Sequence, residues 1–448
     1  MRILLDQAVY DQRNKGNVAL LQTAVYRLSE LWPDAEIDVL TEAPYSLKLY
    51  CPSVNPVSVH PWQNYSSQLQ KYNLLNRHLT RLLLRWLLEF REEIWHRYPN
   101  LISGGWWKKE TALLDRSDLT QTGNEKKSRY SEIVSETETT EQVKNDIVQA
   151  VQDADLVVAT GGGYLCDPEM KDSVQVFDTL EMAVRLGKKT AMVGQGVGPM
   201  EDSEFRLRLS SLLPQIDVIL VREPKIAKPL LESLGVDPKR ISVTGDDAIE
   251  MAYKARATRL GYCIGVNVRL ASYTKVESIF VDRIRQTLHR SARKYQAPLM
   301  ALPTSSNIVE TDLEYIRKLL DGYDNVLIDW RRYDQPLDLI KKIGRCRLVI
   351  TGAFHPALFA LAQGIPAIGF FNSVYSYNKF SALNDEFGPA CQILHLEDES
   401  FDEKLATAID TAWTSAEELK SGLFDAALCQ IERGQAGYRR IFELFEEG

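Results

Sequence analysis

The residue types able to do chemistry are gathered in a few short runs. Thr351-Gly352-Ala353-Phe354-His355-Pro356 precedes an apolar stretch, Ala357–Gln363, that reads as a helix. Pro356 suits a first helical turn, which sets His355 at or beside the cap, where free backbone amides favour an anion. A second run, Asn14-Lys15-Gly16-Asn17-Val18-Ala19, opens another long helix. Gly16 lets the backbone turn there, and Asn17 reads as the cap of a helix whose amides can meet an anion or hydroxyl.

Two glycine clusters follow apolar runs: Gly161-Gly162-Gly163-Tyr164-Leu165 and Gly194-Gln195-Gly196-Val197-Gly198-Pro199. Glycines at the carboxyl end of a strand let backbone amides approach a ligand closely, where open α/β sheets bind ligands. Neither cluster is a dinucleotide fingerprint or a P-loop. Val221-Arg222-Glu223, Gly245-Asp246-Asp247 and Asn267-Val268-Arg269 end three more apolar runs. Each run alone also has a plain structural reading: a capped helix, a tight turn, a solvated carboxylate. Four consecutive strands that deliver Gly, Arg or Asp to one edge favour a shared pocket.

The elements that must position these residues alternate short β-branched runs with longer amphipathic stretches, as in an α/β protein with parallel sheets. Arg2–Leu5, Glu36–Leu40, Asp155–Thr160, Thr190–Gly194, Asp217–Arg222 and Ile241–Thr244 are predicted strands, and Gly16–Leu31 a helix. The pattern restarts with strands over Tyr262–Arg269, Pro298–Leu302, Asn325–Asp329, Arg347–Thr351, Pro366–Phe371 and Gln392–Leu396. Residues 1–250 and 251–415 thus read as two doubly wound domains, with helices over 416–448 that cross back to the first. An insertion at about 62–145 interrupts the first domain. Tyr65–Arg97 reads there as a long helix, basic on one side and apolar on the other. Lys108–Thr140 reads as a solvated segment or an acceptor-binding flap. Arginines and tryptophans over Tyr65–Lys109 also suit peripheral membrane contact, secondary to packing.

The 448 residues carry 53 basic and 61 acidic side chains, a net charge of −8, so nucleic acid is not the expected partner. The six cysteines lack Cys-x-x-Cys spacing and the six histidines lack ligand spacing, so no metal site is expected. Asp6 ends the first apolar run before a signal-peptide core forms, and no stretch approaches ~20 apolar residues. A cytoplasmic protein is the expectation.

The ordered set Gly16-Asn17-x-Ala19, Gly161-Gly162-Gly163, Gly194-Gln195-Gly196-x-Gly198-Pro199, Val221-Arg222-Glu223, Asp246-x-Ala248, Gly265-Val266-Asn267-x-Arg269 and His355…Gly364-Ile365-Pro366 resembles the polysaccharide pyruvyl transferase family. The resemblance spans about residues 14–380. It implies two Rossmann-like domains in a GT-B-like arrangement, with the ligand between them. It also implies transfer of the enolpyruvyl carbons of phosphoenolpyruvate to a sugar diol, forming a pyruvate ketal and releasing phosphate. Relatives typically carry Gly-Asp where this chain has Gly16-Asn17, and often Arg-x-His where it has Ala353-Phe354-His355.

Ketal transfer needs an acid for the donor methylene, a base for the acceptor hydroxyl, and stabilisation of an oxocarbenium-like centre and the leaving phosphate. On this reading His355 is the acid, because histidine titrates near neutral pH. Asp246 orients or deprotonates the hydroxyl. Arg222 and Arg269 are bidentate clamps, one of which offsets the missing arginine. Gly161, Gly162, Gly163, Leu165, Gln195 and Gly196 complete the donor site, and Asn14, Gly16 and Asn17 face the acceptor. Phosphoenolpyruvate is a substrate, and no cofactor is required. The acceptor is a sugar or glycan precursor, with a lipid-linked form among the candidates. Two rival readings stay open: a GT-B glycosyltransferase that uses a nucleotide-sugar, and a non-catalytic glycan-binding relative.

Overall fold

A computed structural model describes residues 1–59, 141–268, 278–305, 312–331 and 334–446. The expected helix over Tyr65–Arg97, the segment Lys108–Thr140 and the membrane-facing tryptophans lie outside the described residues.

In chain order the first half runs β1 (Arg2–Asp6), α1 (Lys15–Leu31), β2 (Glu36–Thr41), α2 (Pro44–Tyr50), β3 (Asn55–Ser58), α3 (Glu141–Asp153), β4 (Leu156–Ala159) and β5 (Gly162–Leu165). It continues with α4 (Met170–Arg185), β6 (Lys189–Val197), α5 (Ser203–Leu212), β7 (Val218–Val221), α6 (Ala227–Ser233), β8 (Ile241–Val243) and α7 (Ile249–Lys254). The second half runs β9 (Cys263–Asn267), α8 (Ser278–Tyr295), β10 (Leu299–Ala301), α9 (Asp312–Leu320), β11 (Val326–Leu327), α10 (Pro336–Ile343) and β12 (Cys346–Thr351). It ends with α11 (Phe354–Ala362), β13 (Ala367–Phe371), α12 (Val374–Phe387), β14 (Cys391–His395) and α13 (Phe401–Glu443).

The strands form two parallel sheets. The first has the order β3-β2-β1-β4-β6-β7-β8, with β5 pairing β6, and the second β11-β10-β9-β12-β13-β14. Both orders reverse direction beside their first strand, which opens a crevice at the carboxyl edge. Alternate residues on each strand serve opposite faces. Leu4, Val157, Met192 and Ile219 pack with α4, α5 and α6. Ile3, Leu5, Val158, Val193 and Leu220 pack with α1, α2 and the end of α13. Burial on both faces explains why these strands read as continuous apolar runs.

Two expectations need correction. Gly162–Leu165 forms strand β5 and not a bare turn, because Gly162 and Leu165 pair with Gln195 and Val197 of β6. The second glycine cluster lies inside β6 as far as Val197, where the strand ends in place of Gly194, with a register shift against β7 between Met192 and Gln195.

All described residues lie in one compact unit. Helix α13 spans it. Its first turns bury Phe401, Leu405 and Ile409 against the second sheet, and Tyr438 and Ile441 lie against the first. The Tyr438 hydroxyl donates to Asp247 Oδ2 at 2.9 Å, and Arg27 binds Asp247 and Glu250 at 2.6 and 2.9 Å. No helix among the described residues is long and apolar enough to cross a membrane.

Candidate active site

Loops at the carboxyl edges of both sheets meet. The Asn14 segment pairs with Ser305 in an isolated bridge, and Lys15 N donates to the Thr304 carbonyl at 3.0 Å. This contact starts α1 at Lys15, one residue before the predicted start. Asn14, not Asn17, is therefore the cap, and its Oδ1 accepts from Gly16 N at 2.9 Å. Asn17 sits half-buried in the first turn. Burial pulls the Lys15 ammonium down to about 8, against the opposing pull of Asp334 and Asp312.

His355 is the second residue of α11, whose cap residue Ala353 makes no side-chain capping bond. The half-buried imidazole lies on Gly16, so close that a Cβ there would stand 2.0 Å from His355 Nδ1. Only glycine admits this approach, which brings the acceptor-side run and the histidine together. In an exposed helix, Gly→Ala stabilises by roughly 0.5–1 kcal/mol. Here Gly16→Ala is expected to lose about 1–3 kcal/mol through overpacking, or to push the ring aside. Urea unfolding and turnover check this, and a variant both stabler and fully active would disprove the contact.

Phe354 links His355 to a second group. Its ring stands edge-on to the imidazole, with centroids 5.4 Å apart, and the Arg222 guanidinium lies 4.8 Å from the Phe354 centroid. Arg222 is buried at the end of β7. Its Nη1 donates to Asp246 Oδ2 at 3.0 Å, and its Nη2 is 3.3 Å from Glu223 Oε1. Burial opposes the charge on Arg222, but Glu223 and Asp246 outweigh it and hold the guanidinium ionised. Burial also pushes the Glu223 carboxyl up, against Arg222. Gly196 is fixed by the same guanidinium, since a Cβ would stand 1.9 Å from Nη2.

Asp246 has both oxygens engaged, Oδ2 by Arg222 and Oδ1 by Ala248 N at 2.9 Å. It acts here as the partner of Arg222, so the base role expected of it has no support in the geometry. Glu223 Oε2, by contrast, is buried and has no hydrogen-bond partner. Glu223, Arg222, Gly163, Gly196 and Gly198 line a cavity closed from the other sheet by Tyr375, Asn378 and Lys379 of α12. The space there is ≈ 10 Å³, room for about one water.

The other expected donor residues divide. Gly163 lines this cavity, and its carbonyl accepts from the Tyr375 hydroxyl at 2.9 Å. Gly161 is packed against the Val193 and Gly194 carbonyls and Leu20, and Gly162 against Tyr164. The Leu165 side chain is fully buried in the core and its carbonyl accepts from Gly198 N at 2.8 Å. Gln195 is buried, its Nε2 lying 2.9 Å from the Thr160 carbonyl and 2.9 Å from Tyr164 Oη, while its Oε1 has no hydrogen-bond partner. Arg269 lies outside the described residues. Among those described, no group of His, Cys, Asp or Glu is placed to hold a metal ion.

Sequence reasoning missed Lys379, Tyr375 and Asp6. The Asp-Gln-Ala-Val-Tyr run after β1 held the only signal for Asp6, a charge closing a buried strand. Asp6 is fully buried and accepts from the Tyr10 hydroxyl at 2.7 Å. Burial pushes its carboxyl up to about 6, against the Tyr10 hydrogen bond. The proton-bound form is thus favoured by folding, which gives full stability below the unfolded value of 3.8 and loses it as pH rises through about 6. Asp6→Asn keeps an acceptor for Tyr10 and is expected to stabilise at pH 7 by up to about 3 kcal/mol. Denaturant unfolding at pH 7 and pH 4 checks it, and the gain should vanish at the lower pH.

A family model for polysaccharide pyruvyl transferase matches residues 14–373. Among curated proteins, no sequence matches at a significant level. Solved structures with a similar fold include a protein assigned as UDP-N-acetylglucosamine 2-epimerase in Listeria monocytogenes. It is 12% identical, with a TM-score of 0.57, and the match covers 100% of this chain and 97% of that one. MnaA of S. aureus, solved with UDP, is 14% identical with a TM-score of 0.51, covering 95% and 91%. The glycosyltransferase of kitacinnamycin is 10% identical with a TM-score of 0.50, covering 98% and 97%. At such identities the likeness concerns the fold alone, and that fold is GT-B: two Rossmann-like sheets facing across a cleft.

Proposed function

Since the chain belongs to the polysaccharide pyruvyl transferase family and is a sugar-modifying transferase, we propose that it moves the enolpyruvyl carbons of phosphoenolpyruvate onto two hydroxyls of a sugar or glycan precursor. The observation that carries this reading is His355, seated on Gly16 at the uncapped start of α11 and joined through Phe354 to the buried Arg222. The start of α11 thus sets a proton donor at the positive end of a helix, the acid and the dipole that a phosphorylated enol needs.

In the first step His355 gives its proton to the donor methylene, which becomes a methyl group, and a sugar oxygen bonds to the adjacent carbon. In the second, the other sugar oxygen bonds to that carbon as its bond to the phosphate oxygen breaks. Of the two hydroxyl protons released, one restores His355 and the other leaves with phosphate. The positive end of the α11 dipole offsets part of the charge on donor and leaving group. A lipid-linked acceptor and a cytoplasmic reaction belong to the same proposal.

The test supplies phosphoenolpyruvate with a panel of sugar diols and, in parallel, UDP-sugars with the same acceptors. Inorganic phosphate released only with an acceptor present is the expected result. Release of UDP with no phosphate would replace this reading by nucleotide-sugar glycosyl transfer. Binding of a glycan with neither release would leave a non-catalytic relative.

A further inference from the structure

The donor of this reading brings a phosphate and a carboxylate to a site whose buried cation is already matched. Arg222 faces two carboxylates, Asp246 at 3.0 Å and Glu223 at 3.3 Å, so its charge is spent inside the protein. Ala353, the residue just before α11, adds no charge. An anion that enters this cleft needs another cation.

Helix α12 provides one. It starts behind a capping box at Ser373, which fixes its first turn beside the carboxyl end of β13. Tyr375 and Lys379, one helical turn apart, then reach across to the first sheet. The Tyr375 hydroxyl donates to the Gly163 carbonyl at 2.9 Å, and the Lys379 ammonium donates to that hydroxyl. Lys379 Nζ stands 3.0 Å from where a Cβ on Gly163 would be, so the absent side chain of that glycine is what admits it. Among the described residues that line this cavity, Lys379 and Arg222 are the cations. The Arg222 guanidinium also lies against Phe354, the residue after Ala353.

Resting on the donor assignment above, we propose that Lys379, held by Tyr375 against Gly163, is a binding residue for the oxyanion of the phosphoenolpyruvate donor. Burial of Glu223 supports this, since a carboxyl pushed toward its neutral form leaves the cavity less negative.

Titration calorimetry of the full chain with phosphoenolpyruvate, inorganic phosphate and pyruvate tests it. Lys379→Met is expected to raise the Kd for phosphoenolpyruvate on the order of tenfold or more, the usual worth of a hydrogen bond to a charged group. Lys379→Arg should stay near wild type. A parallel loss for phosphate with pyruvate unchanged assigns the contact to the phosphate, and the reverse to the carboxylate. If the wild type binds phosphoenolpyruvate and Lys379→Met binds it equally well, this inference falls while the proposed function stands. If the wild type binds neither phosphoenolpyruvate nor phosphate, both fall together.

Discussion

His355→Gln is expected to lower acceptor-dependent phosphate release by roughly 10²–10⁴-fold, the span of an acid–base contribution. Glutamine matches the imidazole in reach and can still donate a hydrogen bond, but it cannot hand over a proton near neutral pH. The ring is half-buried against Gly16, Phe354 and Phe359, so its loss should disturb packing little. The expected signature is a fall in kcat with a nearly unchanged Kd for phosphoenolpyruvate and an unchanged unfolding midpoint. His355→Gln with near-normal turnover would remove the histidine from the chemistry. A fall in stability that accounts for the lost activity would make it a packing residue.

The strands were legible because parallel sheets covered on both faces demand unbroken apolar runs, and Leu156–Ala159 and Val218–Val221 are such runs. The crevice followed from the chain order of those runs, since Gly161, Arg222 and His355 each follow a buried strand. Side-chain pairing was not legible. Asp246 reads as a turn carboxylate, but only the fold puts it 3.0 Å from a guanidinium 24 residues earlier. Gln195 reads as part of a glycine loop, yet its amide nitrogen reaches the Ala159 carbonyl of a strand that pairs with its own. Lys379 gave no signal because a lysine inside an amphipathic helix normally marks a solvated face. It becomes a site residue through a glycine 216 positions away that leaves room for it. Local pattern fixes periodicity and burial, whereas the partner of a charge depends on strand order and crossover geometry.

The same dependence makes Arg222 consequential for stability. Arg222→Met would leave Asp246 and Glu223, both buried, without the cation that matches them. Removing one partner from a buried ionic group costs about 3–5 kcal/mol, since the remaining charges keep their desolvation penalty and lose their attraction. Methionine fills a similar volume and keeps contact with Phe354, so the loss isolates the charge. Arg222→Met/Asp246→Asn should recover part of it by deleting one stranded carboxylate, although the amide must then satisfy Ala248 N alone. The deficit should also shrink as pH falls, because Glu223, already pushed up by burial, takes a proton in the folded state before it does in the unfolded chain. Urea unfolding of the three proteins at pH 7 and pH 5 measures both effects. An Arg222→Met protein as stable as the wild type at pH 7 would mean that the carboxylates reach water, and Arg222 would then be a freely available donor clamp and not one already spent on its neighbours.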